Sequence, residues 1–135
     1  MFRVAFLFLC IVFLKHKPYF SQYIYFSYLC AIMRIQSETQ YIKQLVEEGE
    51  HEHQDFKFEI SDARKIARSI SAFANTGGGR LLVGVKDNGK IAGIRSEEEI
   101  YMIEAAANMY CQPKVEIETK TYIAEGRTVL EIDID

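Results

Sequence analysis

Ala63, Ile66, Ala67, Ile70, Phe73 and Ala74 recur at the spacing of a helix that buries one face, and Gly77-Gly78-Gly79 stop it almost at once. Such a helix needs an apolar surface to lie on. Leu81-Leu82-Val83-Gly84-Val85, directly after the glycines, supplies one as a buried strand. Few arrangements accommodate a helix that reverses so tightly into a strand, and nearly all pack the helix on a sheet. Ser61 or Asp62 is placed to cap the helix start, and Arg64, Lys65 and Arg68 fall off the apolar stripe, on the solvent side.

The flanking segments extend this pattern. Asp55-Phe56-Lys57-Phe58-Glu59-Ile60 alternates with period two, which predicts a half-buried strand with Phe56, Phe58 and Ile60 inward. Ser37-Glu38-Thr39-Gln40 has capping-box spacing before a stripe of Tyr41, Ile42, Leu45 and Val46, with Gly49 as a stop, so a short helix is expected over residues 38–48. Asn88-Gly89 carries the residues of a type I′ hairpin turn, with residues 90–94 returning as the partner strand. A second capping box, Ser96-Glu97-Glu98-Glu99, opens a helix with Ile100, Ile103 and Ala107 on one face. Residues 115–123 and 130–134 alternate about a turn at Glu125-Gly126, and the chain reaches Asp135 still in strand pattern, as expected of a domain truncated at its C-terminal end. The order α-β-α-β-β-α-β-β, with two adjacent hairpins, predicts an α+β fold: a mixed, mostly antiparallel sheet packed with about three helices, and not a doubly wound one.

Residues 1–32 are of a different kind. They hold Arg3, Lys15 and Lys17, no carboxylate and ten of the 17 aromatic residues. The apolar run over residues 4–14 spans roughly 16 Å as a helix, too short for a hydrocarbon core of about 30 Å. It has the length of a signal-peptide core, yet no small-residue cleavage site follows. Its Phe, Tyr, Ile, Leu and Lys content is that of AT-rich DNA translated upstream of a true start at Met33. The expected organisation is therefore a leader over 1–32, spurious or else a signal or anchor, and a working domain over 33–135. That domain carries 13 basic and 19 acidic residues, a net charge of −6, which excludes a general polyanion-coating protein. One cysteine remains in it, Cys111, so neither a disulfide framework nor a multi-cysteine zinc site is available, and a cytoplasmic location without a stable membrane partner is expected.

Three constellations could carry chemistry. Glu50, His51, Glu52, His53 and Asp55 precede and enter the first strand, and Asp87 stands at the mouth of the Asn88-Gly89 turn. Carboxylates gathered from neighbouring strands can hold Mg²⁺ or Mn²⁺, which activates water against a phosphodiester; the plainer alternative is a solvated acidic turn. His51 and His53 form a conceivable but incomplete transition-metal pair. Asn75-Thr76-Gly77-Gly78 could offer backbone N–H groups to a phosphate. That turn follows the negative end of a helix and lacks a Gly-Lys-Ser/Thr ending, so close helix–strand packing explains it at least as well. Arg64, Lys65 and Arg68, continued by Arg80, could contact a phosphate backbone or could be an ordinary solvated face.

Asp55-Phe56-Lys57, Ala72-Phe73-Ala74-Asn75-Thr76-Gly77-Gly78-Gly79, Leu82-Val83-Gly84-Val85-Lys86-Asp87-Asn88-Gly89 and Ile91-Ala92-Gly93-Ile94 together resemble the Schlafen AlbA-like domain. The resemblance runs over roughly residues 38–135. It implies a nucleic-acid-binding module, for RNA or DNA. In some Schlafen members three acids and a divalent metal cleave structured RNA; the matching positions here are Glu50, Asp55 and Asp87. Asp55 replaces the usual Glu, and Lys86 stands where some members carry an acid. Other bacterial members are labelled ATP-binding, for which this sequence has no phosphate loop.

The expected function is nucleic-acid binding through Arg64, Lys65, Arg68, Arg80 and the Asn75, Thr76, Gly77, Gly78 turn. The alternative is a Mg²⁺- or Mn²⁺-dependent endoribonuclease using Glu50, Asp55 and Asp87, with Lys57 stabilising developing phosphate charge. A regulatory or dimerising module, with a second copy of the chain as partner, is a third reading.

Overall fold

A helix (α1, Tyr19–Glu48) leads into a short strand (β1, Gln54–Lys57), a second helix (α2, Ala63–Asn75), a strand (β2, Gly79–Val83), a third helix (α3, Glu98–Tyr110) and two long strands (β3, Ile117–Ala124; β4, Arg127–Ile134) in the computed structural model, which describes residues 19–135, with side chains from residue 22. The apolar run over 4–14, Cys10 and the basic residues before Pro18 lie outside the described residues. The chain divides into two compact units, Met1–Ile35 and Gln36–Asp135. In the first, α1 carries exposed Tyr23, Ile24, Phe26, Tyr28 and Met33. No helix among the described residues is long and apolar enough to cross a membrane.

In the second unit four strands form one sheet in the order β1-β2-β4-β3. β1 and β2 run parallel, joined by α2, whereas β2–β4 and β4–β3 are antiparallel. The sheet is mixed and mostly antiparallel, as the alternation of elements predicts. Its two faces are both covered. Leu81, Val83, Leu130 and Ile132 meet Ile66, Ile70 and Phe73 of α2 and Ile103 and Ala106 of α3. Phe56, Leu82 and Val129 meet Ile42 and Leu45 of α1.

α1 begins far upstream of the expected position at residue 38. No glycine or proline stands between Tyr19 and Glu48, so nothing in the backbone interrupts the helix once Pro18 is passed. The capping-box residues lie inside it and turn sideways: Glu38 Oε2 accepts the Ile123 N–H at 3.0 Å, and the Thr39 hydroxyl donates to the Ile123 carbonyl at 3.2 Å. The far end is closed from another element. The Gln54 side-chain amide donates to the carbonyls of Leu45 and Gly49, at 2.7 and 2.8 Å.

α2 matches its sequence pattern, with Asp62 as N-cap accepting the Arg64 N–H at 2.8 Å. β1 ends at Lys57, short of the expected residue 60, so Phe58 leaves the inward face and is 40% exposed. The turn after Val85 is not type I′. Gly89 N–H bonds to Lys86 O at 2.7 Å, which makes Asp87-Asn88 the central pair, and of these residues only Gly89 has a positive φ. Residues 90–94 contribute a single bridge, Val85 to Ile91. The two-residue turn with both φ values positive is Glu125-Gly126, between β3 and β4. At α3 the cap residue is Glu97, without a side-chain bond; Glu99 is buried instead, its carboxylate accepting the N–H groups of Ile60 and Arg95 at 3.0 and 2.8 Å.

The tight passage from α2 to β2 depends on Gly78. Its φ is +90°, and a Cβ there would stand 2.7 Å from the Ile134 carbonyl oxygen of β4. Gly77 has nearly the same φ, +88°, but open space around it. Gly77→Ala should therefore cost only the left-handed strain, about 1–2 kcal/mol, while Gly78→Ala should lose a further ~1–3 kcal/mol to the clash. Chemical denaturation of the two variants compares them directly; equal losses would mean that β4 does not approach this turn.

On the α1 face, Glu131 is 1% exposed and accepts the Tyr41 hydroxyl at 2.8 Å, with Arg80 Nε at 3.5 Å. Burial, then the hydrogen bond to Glu131 and its charge, hold the Tyr41 hydroxyl well above its ordinary 10.0. Tyr122, whose ring centroid is 5.1 Å from that of Tyr41, is raised by burial and the same carboxylate. A proton bound more tightly in the folded state makes stability complete below about pH 10 and decreasing as pH rises further. Urea unfolding from about pH 9 to about pH 11 should show this fall, and Tyr41→Phe should flatten it. A variant with the same alkaline slope would exclude Tyr41 as its source.

Candidate nucleic-acid interface

The apolar stripe of α2 faces the sheet, so Arg64, Lys65 and Arg68 are turned to solvent, and all three are exposed. Their position on the helix is unusual. α2 has no acidic residue in its first turn and no basic residue in its last, while Arg64 and Lys65 sit at its start. Helix dipoles favour the reverse, anions at the N-terminus and cations at the C-terminus. Arg64 and Arg68 are also four residues apart, where like charges repel. None of the three takes part in an ion pair among the described residues. Lys43, Lys57, Arg80, Arg95, Lys114 and Lys120 all do. The Arg64 guanidinium instead lies 5.8 Å from the ring centroid of Tyr110, the last residue of α3, which is 46% exposed. Helix packing thus produces a cationic face with an aromatic neighbour, its side chains free of ion pairs among the described residues, while the Asp62 carboxylate at the same helix end is bonded to the Arg64 N–H.

Arg80 does not continue this face. Side chains alternate along β2, and Arg80 shares the side of Leu82, towards α1. Its Nε lies 3.5 Å from Glu131 and 4.0 Å from Asp133. The Asn75-Thr76-Gly77-Gly78 turn is similarly occupied. Thr76 and Gly78 both donate their N–H groups to the Phe73 carbonyl, at 3.0 and 2.8 Å, and the Thr76 hydroxyl donates to Ala72 and Phe73 carbonyls at 3.0 and 3.2 Å. These donors close the C-terminus of α2. Asn75 and Gly77 are exposed beside it.

The acidic trio is held apart. Glu50 Oε1 accepts the Phe56 N–H at 3.2 Å, Asp55 is ion-paired with Lys57, and Asp87 is exposed in the turn after Val85. Neighbouring strands were expected to bring Asp87 to Glu50 and Asp55, and β1 and β2 are indeed neighbours. Glu50 reaches along β1 to the Phe56 N–H and Asp55 is held by Lys57, while Asp87 lies beyond the end of β2 in an exposed turn. No group of three His, Cys, Asp or Glu among the described residues could hold a metal ion. Mg²⁺ or Mn²⁺ therefore has no fitting donor set in Glu50, Asp55 and Asp87, and Lys57 is engaged by Asp55 and donates to the Phe56 carbonyl at 3.3 Å. His53 Nδ1 donates to the Gly78 carbonyl at 2.8 Å, and His51 Nδ1 accepts the His53 N–H at 3.2 Å, so each has an internal partner.

Sequence reasoning missed Tyr110 and Glu131. Tyr110 ends a helical pattern read only through its buried face of Ile100, Ile103 and Ala107, to which it does not belong. Glu131 occupies a polar place in an alternating strand; the run of buried residues from Val129 to Ile132, unbroken by exposure, marks a strand covered on both faces.

The family model described as Schlafen, AlbA_2 matches residues 50–135. Among solved structures, the N-terminal domain of a protein related to the ATP-dependent DNA helicase RecG, from Nitrosomonas europaea, is similar over 69% of this chain and 71% of its own, with a TM-score of 0.51 and 21% identity. At that identity the likeness concerns the fold. No curated protein matches the chain.

If the cations of α2 serve a ligand and not the helix, reversing one should help the fold. Lys65→Glu, in the first turn, should raise stability by about 0.3–1 kcal/mol. Thermal denaturation at low salt reads the change; a less stable variant would give Lys65 a structural role.

Proposed function

The chain belongs to the Schlafen AlbA_2 family, and from that premise we propose that its domain holds nucleic acid through the outer face of α2. The observation that carries this reading is the set of three exposed cations, Arg64, Lys65 and Arg68, left without ion pairs among the described residues, the first two at the helix start against the dipole. Phosphates would supply the missing counter-charge. The fold is shared with the N-terminal domain of a protein related to a DNA helicase, which supports a nucleic-acid partner.

The mode of binding follows from charge. Against a net −6 over residues 33–135, long-range attraction is unavailable, so affinity rests on short-range contacts to the backbone. Each phosphate neutralised on duplex contributes about 0.9 to the slope of log affinity against log salt. Arg64→Ala/Arg68→Ala should weaken binding across all sequences and lower that slope by about 2. Lys120→Ala, which removes a cation already paired with Glu118 and Asp133, should change neither. Fluorescence anisotropy with a labelled oligonucleotide from about 50 to about 200 mM salt measures both quantities. Affinity indifferent to salt, or to the double substitution, refutes the proposal.

A further inference from the structure

Phe58 is the first residue beyond β1, and its surroundings differ from those of its neighbours in the alternating pattern. Phe56 is 3% exposed and Ile60 7%, whereas Phe58 is 40% exposed. Two cations from separate segments gather at its ring. Lys86 Nζ, from the turn after Val85, lies 4.9 Å from the ring centroid, and Arg95 Cζ, from the approach to α3, lies 5.8 Å from it. Lys86 has no ion pair among the described residues; Arg95 is held by Glu59 at 2.6 Å.

The parallel pairing of β1 and β2 brings these residues together. Both strands exit at one end of the sheet, and the connection leaving β1 through Phe58 leads to the capped start of α2 and on to Arg64. Open sheets commonly take ligands at the ends where parallel strands exit. We propose that Phe58 is a stacking platform for an unpaired base of a single-stranded nucleic acid, the base taking the place of Lys86 over the ring and the freed Lys86 ammonium contacting a neighbouring phosphate, while Arg95 stays paired with Glu59. Aromatic rings flanked by cations bind single strands in this way, because every base offers a π face and the backbone passes the cations. In a duplex both faces of a base are already stacked within the helix, so the site selects unpaired nucleotides. The proposal rests on the reading of α2 as a backbone-binding face and narrows its substrate to single strands.

The chain contains no tryptophan, so Phe58→Trp places a unique fluorophore at the platform. Its emission should be quenched when a homopyrimidine RNA or DNA of about 12 nucleotides binds, the two polymers showing whether the sugar matters, and should be unaffected by a duplex of equal charge. Phe58→Ala and Phe58→Leu should weaken single-strand binding by about 5- to 150-fold with the salt slope and duplex affinity unchanged, and Phe58→Tyr should retain it. The leucine keeps the apolar bulk, so its loss of binding cannot be assigned to misfolding. If single-strand binding is lost in Arg64→Ala/Arg68→Ala but unaltered in both Phe58 variants, the platform is refuted and the α2 reading survives. The opposite pattern refutes the α2 reading and leaves the platform standing. Failure of the unaltered protein to bind any single strand overturns the platform outright.

Discussion

The parallel alignment of β1 with β2 determines what the rest of the domain can bring together. Phe56 lies opposite Leu82 and Lys57 opposite Val83, so both strands exit at one end, and a crossover is needed to return the chain to the other. α2 is that crossover. It starts beside the exit of β1, with its N-terminus and first cations there, and finishes at the entry of β2 in a turn tight enough to require Gly78. The same alignment gathers Phe58, Lys86 and Arg95.

The second consequence is that the sheet has no solvated face over its central strands. α2 and α3 cover one side and the C-terminal part of α1 the other. Polar side chains caught between must find partners inside the fold, because an unpaired buried polar group costs roughly 1–3 kcal/mol. Glu131 meets this with Tyr41 and Arg80, Glu99 with two backbone N–H groups, and the Gln54 amide NH₂ with the carbonyls of Leu45 and Gly49, while the Gln54 Oε1 is left without a partner among the described residues. This explains why Arg80, which reads as one more surface cation, is committed to a structural pair while Arg64 on a helix exterior is not.

Periodicity alone was enough to read α2, the β3–β4 hairpin and the α+β class, since each follows from local spacing with one buried face; between Ser61 and Asp62 as the cap of α2 the structure decides for Asp62. What failed was whatever depended on partners distant in sequence. Ser37-Glu38-Thr39-Gln40 has the composition of a helix start, but those side chains bond to Ile123, eighty-odd residues away. Glu99 fits a capping box, but Ile60 claims its carboxylate. Asn88-Gly89 satisfies the composition of a type I′ turn, yet the single bridge at Val85 gives it no ladder to close, and the turn forms one residue earlier. For the site, the sequence shows which cations lie off the core stripe. It does not show which of them the fold neutralises, and that distinction separates Arg80 from Arg64, Lys65 and Arg68.

Neutralisation also resolves how an acidic domain can present a cationic surface. At physiological ionic strength charges more than about 8 Å apart are largely screened from one another. Arg64 and Arg68 are separated by about 6 Å of helix rise, so with Lys65 they act within one screening length as a unit. Acids elsewhere, such as Asp55, Glu118, Glu125, Glu131 and Asp133, are already matched by nearby cations. A net charge summed over residues 33–135 therefore has little bearing on what a phosphate meets at α2. The local field there is set by three unpaired cationic side chains against one carboxylate, that of Asp62, which is bound to the helix N-terminus as its cap, and this local excess of positive charge makes α2 the place where a polyanion can be held.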